Sequence, residues 1–136
     1  MIGKRRINLL ISIYIHDSMS KIYVSARMKV TRLRLEEFKE EVARIIQQVK
    51  EKDTGTWEYN WFISNDKSEC EIHEGFESSE DAIAHQNNLG ETLKMFFDKF
   101  GSPYAITIYG DPSQQLLEKA KESGLEITVF SFLQGL

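Results

Sequence analysis

Glu74 and His85 are the two residues whose type and setting point most directly to chemistry. Along residues 69–77 (ECEIHEGFE) side chains alternate between two faces, so Glu74 falls with Cys70, Ile72 and Phe76. Glu69, Glu71, His73, Gly75 and Glu77 share the other face. A carboxylate among apolar neighbours has a raised pKa unless a partner holds it ionised, which is how a general acid or base is poised near neutrality. The plainer role for such a carboxylate is a structural bond to a nearby helix. His85 lies in a stretch of helical periodicity, on the flank of a stripe of Ala82, Leu89 and Leu93, within reach of a sheet below. Paired, the two would form a catalytic centre with His85 as base and Glu74 as its orienting partner; unpaired, His85 reads as an interface or capping residue. Trp57, Tyr59, Trp61, Phe96 and Phe97 are candidate walls of a dry substrate pocket, with Asn60 and Asn88 as further polar handles, although aromatic residues at these spacings also build cores.

The remaining reactive residue types point away from metal, thiol and phosphate chemistry. Three histidines and one cysteine show no H-x-x-x-H or C-x-x-C spacing, so no metal site is expected. Cys70 has no activating partner and reads as a small buried hydrophobe. His73, among glutamates, reads as a surface or dimer-face residue. No glycine-rich phosphate loop is present.

Positioning these residues requires a sheet covered by helices. Ile22, Val24, Ala26, Met28 and Val30 alternate with polar residues and predict a first strand. Leu35, Phe38, Val42, Ile45, Ile46 and Val49 recur at helical spacing opposite a charged face, predicting an amphipathic helix of about 17 residues that Asp53-Thr54-Gly55 ends. Thr56–Ile63 is aromatic and β-branched enough for a second strand, Asn65–Ser68 is a hairpin turn, and Glu69–Glu77 is the third strand. Ser78 or Ser79 caps a helical region that runs to Phe100 and bends or breaks at Gly90. Tyr104–Tyr109 predicts a fourth strand, Gln114–Ser123 a short helix stopped by Gly124, and Glu126–Leu133 a fifth strand. The order β-α-β-β-α-β is an α+β, ferredoxin-like split βαβ sandwich, here with an appended C-terminal helix and strand.

Strand two is apolar on both parities, with Trp57, Tyr59, Trp61 and Ile63 expected on one face and Phe62 on the other, where Tyr23 of strand one also falls. A solvent-facing sheet is polar on one side, so both faces are expected to be covered, one of them by a second copy of the chain.

Length and charge set the outer limits. The 136 residues fit one domain, and 41% hydrophobic with 28% charged residues excludes both a disordered chain and a multispan membrane protein. The lone cysteine argues against a secreted disulfide scaffold and for a reducing, cytoplasmic setting. Residues 1–20 carry a net +2 and the rest −6, so no basic stripe exists from Ser20 onward and nucleic acid is not an expected partner. Lys4-Arg5-Arg6 followed by Ile7–Ile15 has the charge and length of a secretory leader but no small-residue cleavage site, and its nine residues fall short of the roughly 20 a membrane helix needs. This extension reads in three ways: an upstream addition with the natural start at Met19, an extra strand or arm, or a signal or anchor. Residues 21–136 are the expected domain.

Three blocks in order then give a resemblance: Gly55-Thr56-Trp57-Glu58-Tyr59-Asn60-Trp61-Phe62, His73-Glu74-Gly75-Phe76, and Ser79-Glu80-Asp81-Ala82-Ile83-Ala84-His85. Over roughly Lys21 to Gly110 the chain resembles the antibiotic biosynthesis monooxygenase-like family of dimeric α+β barrels. Tyr109–Ser113 and the tail through Leu136 look like a subset of small bacterial proteins described as quinol monooxygenases. The resemblance implies a homodimer with its two sheets face to face, and His85 in the place of the histidine that follows this helix start in the family. It implies a cofactor-independent oxygenase whose substrate, a small aromatic phenol or quinol, itself reduces oxygen. The same fold also supports haem breakdown, isomerisation and plain ligand binding. Haem-degrading relatives use a histidine farther along the second helix, where this chain reads Lys94-Met95-Phe96-Phe97. The rival expectations are a non-catalytic dimeric binding or stress-response module and an isomerase or lyase on the same barrel.

Overall fold

Alternation places Ile22, Val24, Ala26 and Met28 on one side of β1 (Ile22–Lys29), and the computed structural model, which describes residues 20–136, buries that side under helices. The N-terminal extension with its three readings lies outside the described residues. After a single 3₁₀ turn (Arg32–Arg34) comes α1 (Leu35–Lys52), which buries Phe38, Val42, Ile45 and Val49 and keeps Glu36 and Glu37 at its positive end. β2 (Thr56–Ile63) and β3 (Glu69–Phe76) form the expected hairpin, and α2 (Ser79–Phe100) starts at Ser78, whose hydroxyl accepts from the Asp81 amide. β4 (Ala105–Tyr109), α3 (Gln114–Glu122) and β5 (Ile127–Phe130) complete the order.

The sheet runs β2-β3-β1-β4-β5, antiparallel except for the parallel β4–β5 pair. Its first four strands are the ferredoxin-like arrangement, and the appended helix and strand add β5 at the edge. One buried cluster, with Met28, Phe38, Ile45, Ile72, Leu89 and Phe96, sits between the sheet and α1 and α2. A second, Ile22, Phe76, Ala82, Ile108 and Leu116, anchors α3. At nine residues α3 is too short to hold itself in water. Leu116, 1% exposed, and Ser113, whose side chain caps the Leu116 amide, hold it in place.

Two expectations are corrected. The fifth strand ends at Phe130 instead of Leu133, because its neighbour β4 ends at Tyr109 and Gly110, at φ 118°, turns away after its amide bonds the Phe130 carbonyl. A strand without a partner has no ladder to extend. Trp57 does not share the face of Tyr59, Trp61 and Ile63. A β-bulge between Thr56 and Glu58 shifts the register, and the Trp57 ring lies on the outer face over Gly75, so closely that a Cβ there would meet the ring at 2.5 Å. It packs there with Tyr23, at 5.9 Å between ring centroids.

Candidate functional site

β3 pairs with both β1 and β2, so its middle residues lie near the centre of the sheet, and alternation turns Glu74 toward the helices. α2 crosses above and lowers His85 onto it. His85 Nε2 lies 3.0 Å from Glu74 Oε1, a close ionic contact in which the carboxylate sits off the N–H axis and no well-aligned hydrogen bond forms. On the other side of the ring, His85 Nδ1 is 2.6 Å from Asp53 Oδ2, in a well-formed hydrogen bond. The edge-on ring of Tyr59 (4.9 Å) and the tilted ring of Phe76 (5.1 Å) flank the imidazole.

Asp53 is itself held from three directions. Thr56 Oγ1 donates to Oδ2 at 2.7 Å, Asn88 Nδ2 donates to Oδ1 at 2.9 Å, and His85 supplies the third bond. Burial alone would raise the Asp53 carboxyl, but the donors from Asn88, Thr56 and His85 prevail and hold it below its ordinary range. An ionised Asp53 can only accept, so the proton belongs on Nδ1 of the ring. For His85 burial works against the charged form, yet the Glu74 and Asp53 carboxylates outweigh it and raise the ring above its ordinary value. The result is a row of carboxyl, imidazole and carboxyl in which both acidic neighbours favour the protonated ring. His85 is 2% exposed and Glu74 17% exposed, so Glu74 is the member that presents an oxygen beyond the row.

Glu74 opens onto a cavity of about 360 Å³ between the sheet and the second half of α2, closed on a further side by α3. Val24, Ile72 and Ile106 form its floor, Leu93 and Phe97 one wall, and Leu116 another. Gly90, at φ 40° and ψ −119°, kinks α2 and sets the course of the segment that brings Leu93 and Phe97 to this wall. The volume is at the lower end of small-molecule sites, and the lining is mostly apolar. Tyr59 also lines it; burial, with the Glu74 charge beside it, pushes its phenol well up and keeps it neutral.

Of the candidates from sequence, His85, Glu74, Tyr59 and Phe97 meet at this cavity. Trp61 and Phe96 instead pack against each other and Phe38 in the core under α1. Asn88 stands behind the histidine as a support for Asp53. Asn60 faces the opposite side of the sheet and bonds Glu58. His73 is on that outer face too, between Tyr23 (2.9 Å) and Glu71 (2.7 Å). Cys70 is buried, and its thiol is pushed up to about 12 by burial and the Glu71 charge, so it stays protonated. Among the described residues no group of three His, Cys, Asp or Glu side chains is arranged to hold a metal ion. No helix among them is long and apolar enough to cross a membrane.

Asp53 was the residue the sequence concealed. It stands at the end of α1, where the helix dipole disfavours a carboxylate, and that misplaced charge was the available sign that it serves another partner.

No family model matches the chain, and no curated protein matches it. Solved structures share its architecture. MupZ from Pseudomonas fluorescens superposes with a TM-score of 0.71 at 16% identity, over 86% of this chain and 93% of MupZ. A Caulobacter crescentus protein provisionally named an antibiotic biosynthesis monooxygenase gives 0.60 at 18% identity, over 70% of this chain and 92% of its own. A Nitrosomonas europaea protein with the same provisional name gives 0.56 at 20% identity, over 68% and 90%. The fold is therefore the one found in proteins of that name.

Proposed function

We propose that the chain is an antibiotic biosynthesis monooxygenase-like protein that acts, without a cofactor, on a small phenol or quinol held in the cavity. The observation that supports this reading best is the Asp53–His85–Glu74 row opening through Glu74 onto an apolar chamber. Glu74 accepts the phenolic proton, because its side chain is the more exposed of the two that border the cavity, 17% against 2% for His85; His85 and Asp53 hold Glu74 in place. Once deprotonated, the electron-rich ring reduces dioxygen itself. One oxygen atom enters the ring, the other leaves as water, and the phenol becomes a quinone. The dry walls protect the phenolate from water.

We infer that the chain works as a homodimer through the outer face of its sheet. Trp57 (49% exposed), Phe62 (51%) and Tyr109 (42%) stand there with Tyr23, and this is a larger aromatic surface than a solvated sheet face usually shows.

A screen of quinols and polyphenols followed by oxygen uptake tests the activity. Uptake with one quinone formed per dioxygen is expected, and Glu74→Gln should slow it by about 10²- to 10⁴-fold with the fold retained. Solvent deuterium entering the substrate with no oxygen consumed would replace oxygenation by isomerase or lyase chemistry at the same base. Binding without either reaction would make the chain a ligand-binding module.

A further inference from the structure

The cavity carries a second polar point, of opposite sign to the first. Asp53 and Glu74 set two carboxyl groups against one imidazole, so the first point is acidic. On the α2–α3 side the lining includes Gln86 and Lys119. Lys119 Nζ donates to Asn87 Oδ1 at 2.8 Å, a neutral acceptor, and none of the ion pairs among the described residues involves it. An ammonium has three N–H donors, so two remain without a partner among the described residues. The half-buried Gln86 amide makes no hydrogen bond to any described residue. Among the described residues, this ammonium and this amide beside an apolar wall have no anionic partner.

We propose that the ligand of this cavity is a monoanion, a small hydroxylated aromatic carboxylate whose carboxylate is bound by Lys119 and Gln86 while its hydroxyl meets Glu74. This rests on the reading of the cavity as the substrate site. A single lysine, without an arginine fork, matches one negative charge, and the two carboxyl groups at the Asp53–His85–Glu74 end disfavour a dianion such as phosphate.

Calorimetric titration of the full chain with 4-hydroxybenzoate and with its neutral near-isostere 4-hydroxybenzamide tests the assignment without any turnover. The acid should bind about five- to tenfold more tightly, as one partly desolvated charge-assisted contact provides. That ratio should fall to about one in Lys119→Met, persist in Lys119→Arg, and shrink with added salt in the unmodified protein. Equal binding of the two compounds, or a ratio that survives Lys119→Met, overturns the anion site and leaves the cavity reading standing. Absence of binding by both removes the cavity reading together with the anion site. Should Lys119→Met fail to fold, a salt-independent ratio in the unmodified protein is sufficient to overturn the proposal.

Discussion

At the scale of single residues, the candidate site places one buried ring between two carboxyl groups. Protonated His85 stabilises the fold through Glu74 and Asp53, so its raised pKa makes that contribution complete below about pH 6.5 and lost as pH climbs through the raised value. Asp53 behaves in the opposite sense. Its lowered pKa contributes stability above about pH 4, and acid removes it as pH falls through the lowered value. The fold should therefore be most stable in the window between these two titrations. Asp53→Asn keeps an acceptor near Nδ1 but deletes the charge, so His85 should titrate at lower pH and the alkaline loss of stability should begin earlier. Ring resonances of His85 followed by NMR across pH, beside thermal unfolding, measure both shifts. An unchanged His85 titration in the variant would remove Asp53 from the row.

At the scale of elements, the bend in α2 matters most for the chamber. Before Gly90 the helix delivers His85 and Asn88 to Asp53 and seals Leu89 into the core; after it, the same helix turns Leu93 and Phe97 to the cavity. An added Cβ at Gly90 meets no packed neighbour within 4 Å, so the cost of substitution comes from the local backbone conformation and not from the surrounding core. Gly90→Ala should then lose about 1–3 kcal/mol in denaturant unfolding, the scale of forcing a non-glycine residue into this region. A straight helix predicts the opposite sign, a gain of up to about 1 kcal/mol from replacing glycine by alanine. A measured gain would mean that α2 runs unbent in solution. The bulge in β2 is a second such device: one extra residue moves Trp57 to the outer face while Tyr59 and Trp61 stay inside.

At the scale of the whole molecule, the two faces of the sheet are divided between roles. The inner face holds the core and the chamber, and the outer face presents aromatic residues suited to a second sheet. Phe62→Asp puts an unpaired charge into the middle of that proposed interface and should dissociate the dimer, because a desolvated charge without a partner is costly. Sedimentation velocity at micromolar concentration reads the outcome. A variant that assembles like the unmodified chain would place the interface on another surface.

Periodicity was enough to read the helices, the existence and order of the strands and the inner face of β3, because the spacing of apolar residues states directly which side of each element seeks the core. The helical flank of His85 and the neighbours of Glu74 were legible for the same reason, and the structure brings the two side chains together. Asp53 was not legible as their partner. Its contact with His85 joins residues 32 positions apart across two elements, and no local pattern encodes where the end of α1 lies beside α2. Trp57 and β5 were misread because strict alternation assumes an unbroken register and a neighbour for every strand, and both depend on what lies alongside. The cavity, too, is a product of tertiary structure: it exists only where the sheet, a bent α2 and the short α3 fail to close on one another, and that gap is a property of their packing, not of any segment's sequence.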